Sequence, residues 1–140
     1  MARMQIVKLA GLVATAAWLV SMAVSLSAQA TKSPEAAKLV NPAKPTAESL
    51  AAGKTAYLKY CKFCHGADAD GKPTIVPKGT PPANLIDAKW EHGATDGEIF
   101  MIIKEGIAPK FEMKAMKTKI TDPEIWNVVN YLRSIGPKTK

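Results

Sequence analysis

The sequence predicts an all-α domain of three or more helices joined by long loops. Three observations carry this. Thr95-Asp96-Gly97-Glu98 and Thr121-Asp122-Pro123-Glu124 both have the side chains of a helix-starting capping box. Each is followed by apolar residues at helical spacing. No alternation of apolar and polar residues stands out as a strand, and no Asn-Gly or Asp-Gly turn joins two such runs.

The first helix is expected from Ala47 to Tyr60, with Thr46 or Ser49 as N-cap. Leu50, Gly53, Tyr57 and Cys61 fall on one face. Glycine is unfavourable inside a helix, so Gly53 is read as a point of close helix crossing. The second helix follows Thr95 and buries Ile99, Phe100, Ile102 and Ile103; Gly106 stops it, with Pro109 beyond. The third follows Thr121. Its Ile125, Val128, Val129 and Leu132 recur at helical spacing, Pro123 suits the first turn, and Gly136-Pro137 ends it. Residues 66–90 form a long loop with four Pro before Asn84. A loop of that length in a compact domain needs something to wrap, and a large flat cofactor would serve.

The chain length of 140 residues suits one domain. Residues 1–30 read as an export signal: Arg3 and Lys8 are positive, no acidic residue precedes Glu35, and an apolar stretch runs from Leu9 to Leu26. Ala28-Gln29-Ala30 supplies small residues for cleavage after Ala30. The apolar stretch is 18 residues long, the lower limit for spanning a bilayer, so an uncleaved membrane anchor is the alternative. Residues 31–46, with Pro34, Pro42 and Pro45, read as a linker or flexible N-terminus, and residues 47–140 as the domain.

The whole chain carries a net charge of +7. Residues 31–140 hold seventeen Lys and Arg against twelve Asp and Glu, a net of +5. The lysines are scattered, with no long basic run or aromatic-interleaved basic patch, which argues against nucleic acid as a partner. An acidic protein surface or an anionic membrane fits better.

The two cysteines stand in Cys61-Lys62-Phe63-Cys64-His65, the pattern of covalent haem attachment. Each thiol adds across one haem vinyl group to form a thioether. The vinyls lie on adjacent pyrroles, so the sulfurs must be about one helical turn apart. The adjacent His then supplies the proximal iron ligand. A thioredoxin-like motif expects a βαβ context that is absent. A structural zinc site needs four ligands, and Cys61, Cys64 and His65 give three. A disulfide leaves the His unexplained. For the other axial position, Met113, Met116, Met101 and His92 are candidates. Met101 lies inside the second helix and His92 near its start. Met113 and Met116 lie between helices, where a side chain can be aimed freely.

Over nearly all of residues 47–137 the chain resembles a class I c-type cytochrome. The matching pieces are Gly53-Lys54-Thr55-Ala56-Tyr57, Cys61-Lys62-Phe63-Cys64-His65-Gly66, Pro81-Pro82-Ala83-Asn84-Leu85, Thr95-Asp96-Gly97-Glu98-Ile99-Phe100 and Ile103-Lys104-Glu105-Gly106-Ile107. The last runs from Ile120 to Arg133. The resemblance implies a small class I cytochrome c fold around one covalently attached haem c and its iron. It implies Met113 as the distal ligand, because the family's Met commonly stands eight residues before the N-cap of the last helix, here Thr121. Lys114 follows where the family usually has Pro, which predicts a less rigid ligand loop. The family also has a backbone carbonyl bonded to the proximal imidazole, often beside a Pro; Pro73 or Pro77 is expected to mark it. Tyr57, Trp126 and Tyr131 are expected to pack at the crossing near Gly53, and Trp90 near a haem propionate.

With Cys61, Cys64, His65 and Met113 as the binding set, the expected function is single-electron transfer without catalysis, on the periplasmic or exported side of a membrane. The expected partners are redox proteins with acidic docking surfaces, met by Lys104, Lys110, Lys114, Lys117 and Lys119 on the distal side and by Lys54, Lys59 and Lys62 near the attachment motif. The alternatives are a cytochrome subunit or dedicated acceptor of a periplasmic dehydrogenase or oxidase, and a haem enzyme or ligand sensor with a weak sixth ligand.

Overall fold

The computed structural model describes residues 34–74, 81–108 and 112–137. The export signal expected over residues 1–30 lies outside the described residues, as do Pro77, Pro109 and Lys110. Among the described residues the elements are α1 (Pro34–Lys38), α2 (Ala47–Tyr60), α3 (Lys62–His65), α4 (Asp96–Glu105) and α5 (Asp122–Ile135), with no strand. No helix among them is long and apolar enough to cross a membrane.

Both capping boxes form. The Thr95 hydroxyl accepts from the Glu98 N–H at 3.2 Å, and the Glu98 carboxylate accepts from the Thr95 N–H at 2.9 Å. Thr121 and Glu124 start α5 in the same reciprocal way, satisfying amides that the helix itself leaves unpaired. Thr46 is the N-cap of α2.

The core lies where α2 and α5 cross. Tyr57, Ile125, Val128 and Val129 are fully buried. Gly53 makes the crossing: a Cβ there would stand 2.0 Å from the Asn127 carbonyl oxygen. Tyr57 and Tyr131 pack beside it with ring centroids 5.6 Å apart. Trp126, expected at the same place, sits elsewhere. It stacks on Phe100 with centroids 4.1 Å apart, and so joins α5 to α4. The cause is angular: α5 is buried over a wide arc, and its apolar pattern does not say which neighbour each side chain meets.

Residues 34–46 are mostly exposed but touch the helices at a few points. Ala36 in α1 is buried, against Gly97 in the first turn of α4. A Cβ on Gly97 would stand 2.0 Å from the Ala36 carbonyl oxygen, so the glycine creates the seat. Asn41 then donates to the Trp126 carbonyl at 3.2 Å and to Asn130 Oδ1 at 2.8 Å. Asn130 donates in turn to the Ala43 carbonyl and to Ser49 Oγ. The strap thus supplies the partners that let a polar Asn130 be buried on α5.

Candidate haem site

The attachment motif begins where α2 ends. The Cys61 N–H still bonds to the Tyr57 carbonyl at 2.8 Å, and the Cys61 carbonyl receives the N–H groups of Cys64 and His65 at 3.1 and 3.0 Å. This extra turn, α3, spaces the two sulfurs by one turn. Gly66 closes it at φ 83° and ψ 158°, backbone geometry essentially confined to glycine. The buried Tyr57 hydroxyl donates to the Gly66 carbonyl at 2.7 Å and pins α2 to the residue after His65. Burial, with a smaller contribution from the nearby Cys61, raises the phenol pKa, so it stays a donor.

The loop after α3 folds back on the motif. The Gly71 N–H donates to the His65 carbonyl at 3.0 Å, and the Leu85 N–H to the Ala69 carbonyl at 2.8 Å. This path brings the Ala83 carbonyl oxygen to 3.0 Å from His65 Nδ1. A carbonyl only accepts, so Nδ1 carries the proton and Nε2 keeps its lone pair for a metal. The acceptor therefore stands after Pro82, not at Pro73; Pro77 is outside the described residues. Side-chain patterns hide it because every residue has a carbonyl. The signal that was available is Pro81-Pro82, which stiffens the approach to Ala83.

Burial lowers the His65 pKa, with the Ala83 bond opposing it more weakly. The imidazole is thereby held neutral and able to ligate. Burial also pushes the Cys61 thiol up to about 12, with the Cys64 thiol adding to it. The two cysteines form no disulfide; Cys61 is half-buried and Cys64 exposed.

Cys61, His65 and Met113 line one apolar cleft, walled by Leu85, Trp90 and Ile102. Val128 and Leu132 of α5 also line it. Met101, Met116 and His92 are not among its lining residues. Met101 and Met116 pack against the core, as Met113 also does. Trp90 is held by the Arg133 guanidinium, which lies over its ring at 5.7 Å while Arg133 Nε donates to Asp96 Oδ1 at 2.7 Å. Two thiols one turn apart, an imidazole with a free Nε2, a thioether and apolar walls match what a covalently attached haem requires.

Of the lysines expected on the distal side, Lys104 pairs with Asp122 at 2.7 Å and Lys117 with Glu105 at 2.5 Å. Lys114 and Lys119 are exposed and form no ion pair among the described residues. Lys110 is outside them.

Comparison with known proteins identifies the family. The profile of the family described as "Cytochrome C oxidase, cbb3-type, subunit III" matches residues 48–132. The chain is 35% identical over 114 residues to the cbb3-type cytochrome c oxidase subunit CcoP of Rubrivivax gelatinosus, covering 78% of this chain and 34% of that protein. It is 32% identical over 84 residues to the subunit FixP of Sinorhizobium medicae, covering 60% of this chain and 27% of that protein. The chain thus spans about a third or less of the length of these relatives. Among solved structures it resembles cytochrome cL of Methylophaga aminisulfidivorans, at 26% identity and a TM-score of 0.54, over 70% of this chain and 58% of that one. A chain of the reducing HAO-like protein complex of Kuenenia stuttgartiensis shares the fold, at 22% identity and a TM-score of 0.60, over 72% of this chain and 49% of that one. The chain belongs to the cbb3-type cytochrome c oxidase subunit III family and is a class I c-type cytochrome with covalently bound haem c.

Proposed function

We propose that Cys61 and Cys64 would attach the haem and His65 and Met113 would hold its iron, and that the domain exchanges single electrons with a respiratory redox partner on the exported side of a membrane. The observation that carries this reading is the convergence of Cys61, His65 and Met113 on one apolar cleft. Haem c, when bound, supplies the one-electron change between ferric and ferrous iron.

The residues around it have separable tasks. His65 offers Nε2 because Ala83 fixes its Nδ1 proton. The Met113 thioether is a soft donor, which favours the ferrous state and raises the potential. Leu85, Ile99 and Ile103 exclude water from the cleft, which disfavours the extra charge of the ferric state in the same direction. If His65 and Met113 both held the iron, electron transfer would be favoured over ligand chemistry.

A second reading is favoured by the family match: the domain serves as a subunit or dedicated partner of an oxidase. Co-purification with a large membrane-bound partner supports it, and isolation as a free monomer opposes it.

The test of the axial pair is the ferric and ferrous optical spectrum of wild type, Met113→Ala and Met116→Ala. The expected result is loss of the weak near-infrared methionine–iron band in Met113→Ala alone, with carbon monoxide then binding the ferrous form. Retention of the band in Met113→Ala refutes the assignment.

A further inference from the structure

We propose that Gly106 is a positioning residue, which holds the Met113 backbone at the cleft by making the end of α4 the clamp for the distal loop. The inference rests on the reading of Met113 as an axial ligand.

A helix leaves its last carbonyls without intrahelical partners, and something else must satisfy them. In α4 the distal loop does this. Ile103 O receives the Met116 N–H at 3.0 Å, and Lys104 O receives the Lys117 N–H at 3.3 Å. Immediately after the helix the direction reverses: the Ile107 N–H donates to the Met113 carbonyl at 2.9 Å. The Lys117–Glu105 ion pair ties the same two segments at the surface. Met113 is thus gripped through its own backbone, and residues 116–117 are gripped behind it.

Gly106 permits that grip twice over. Its φ of 76° and ψ of −174° lie in the region essentially restricted to glycine. It is also buried against the loop: a Cβ would stand 2.6 Å from the Met113 carbonyl oxygen and 2.7 Å from the Ala115 nitrogen. Both are backbone atoms, so no rotamer change relieves the clash. No proline occurs between Lys110 and Asp122 to stiffen the loop from within. Its order comes from α4.

The test compares haem-loaded wild type, Gly106→Ala, Gly93→Ala and Met113→Ala. Gly93 is the control: its φ of 117° is equally left-handed, but its added Cβ meets the Glu98 side chain, away from Met113. Each protein is assayed for covalent haem by mass, for the near-infrared methionine–iron band, and for carbon monoxide binding to the ferrous form. The expected result is that Gly106→Ala keeps its covalent haem, loses most of the band and gains carbon monoxide binding. Gly93→Ala loses stability but keeps the band.

A full-intensity band in Gly106→Ala, or equal loss in Gly93→Ala, overturns the role of Gly106. A band that survives in Met113→Ala overturns the ligand assignment instead. Should Gly106→Ala fail to accumulate, amide exchange on the wild-type protein decides: an Ile107 N–H strongly protected supports the clamp, and one exchanging at the unstructured rate overturns it.

Discussion

His65, the proposed proximal ligand, shows how much of a site is made by groups that are not side chains. Its place after Cys64 is legible because thioether chemistry fixes the spacing. Its orientation is not legible, because the Ala83 carbonyl reaches it only through the path of the loop after α3. The consequence is a dependence on pH. Burial lowers the His65 pKa below its ordinary value of 6.5. A depressed folded-state pKa means that the neutral ring's stabilisation is complete above the unfolded value. It is lost as pH falls toward the folded one. Iron binding uses the same neutral form, so protonation displaces it only on the acid side. A pH titration of the haem-loaded protein, followed by its spectrum, is expected to show unchanged ligation at about pH 6.5, the ordinary histidine value, and loss only further into acid. Half-loss at or above that pH contradicts the proposed His65 ligation.

At the scale of elements, the helices and their crossing were legible because each has a local chemical signature. Thr95 with Glu98 and Thr121 with Glu124 start helices whatever surrounds them. Gly53, inside α2, makes sense only if a neighbour comes too close for a side chain. What was not legible lacks such a signature. Trp126 is apolar on an arc facing both α2 and α4, and only the third dimension sends it to Phe100. The docking of α1 depends on a gap over Gly97, far away in sequence, and Asn41 gains its meaning only when Asn130 is opposite. The crossing makes a sharp prediction. In Gly53→Ala the new Cβ meets the Asn127 carbonyl oxygen at 2.0 Å, so α2 and α5 must separate. Overpacking of this kind costs about 1–3 kcal/mol or more. Urea unfolding of the haem-loaded variant is expected to show a lower midpoint with an unchanged slope. A midpoint equal to wild type means the crossing yields freely and the core reading is wrong.

For the whole molecule the relevant quantity is the field that a partner meets. Composition gives the net charge of residues 31–140 as +5 but does not say which lysines remain free to project it. Folding sorts them. Lys104 is drawn to Asp122 and Lys117 to Glu105, pairings 18 and 12 residues apart that no local pattern announces. Exposed pairs of this kind contribute little to stability, but they neutralise two of the four described lysines on the distal side. Lys114 and Lys119 are left exposed in the segment between Met113 and α5. If an acidic partner docks on the face they share, these two govern encounter more than their paired neighbours do. Reversal of both charges, Lys114→Glu with Lys119→Glu, is then expected to slow bimolecular electron transfer to an acidic redox protein by about tenfold or more at low ionic strength. The difference from wild type should shrink as salt rises and the Debye length falls to about 8 Å at physiological strength. The near-infrared band must stay intact, because neither side chain ligates. Stopped-flow rates across a salt series measure all of this. Wild-type rates that rise with salt, or a double variant as fast as wild type at low salt, place the docking face elsewhere on the surface.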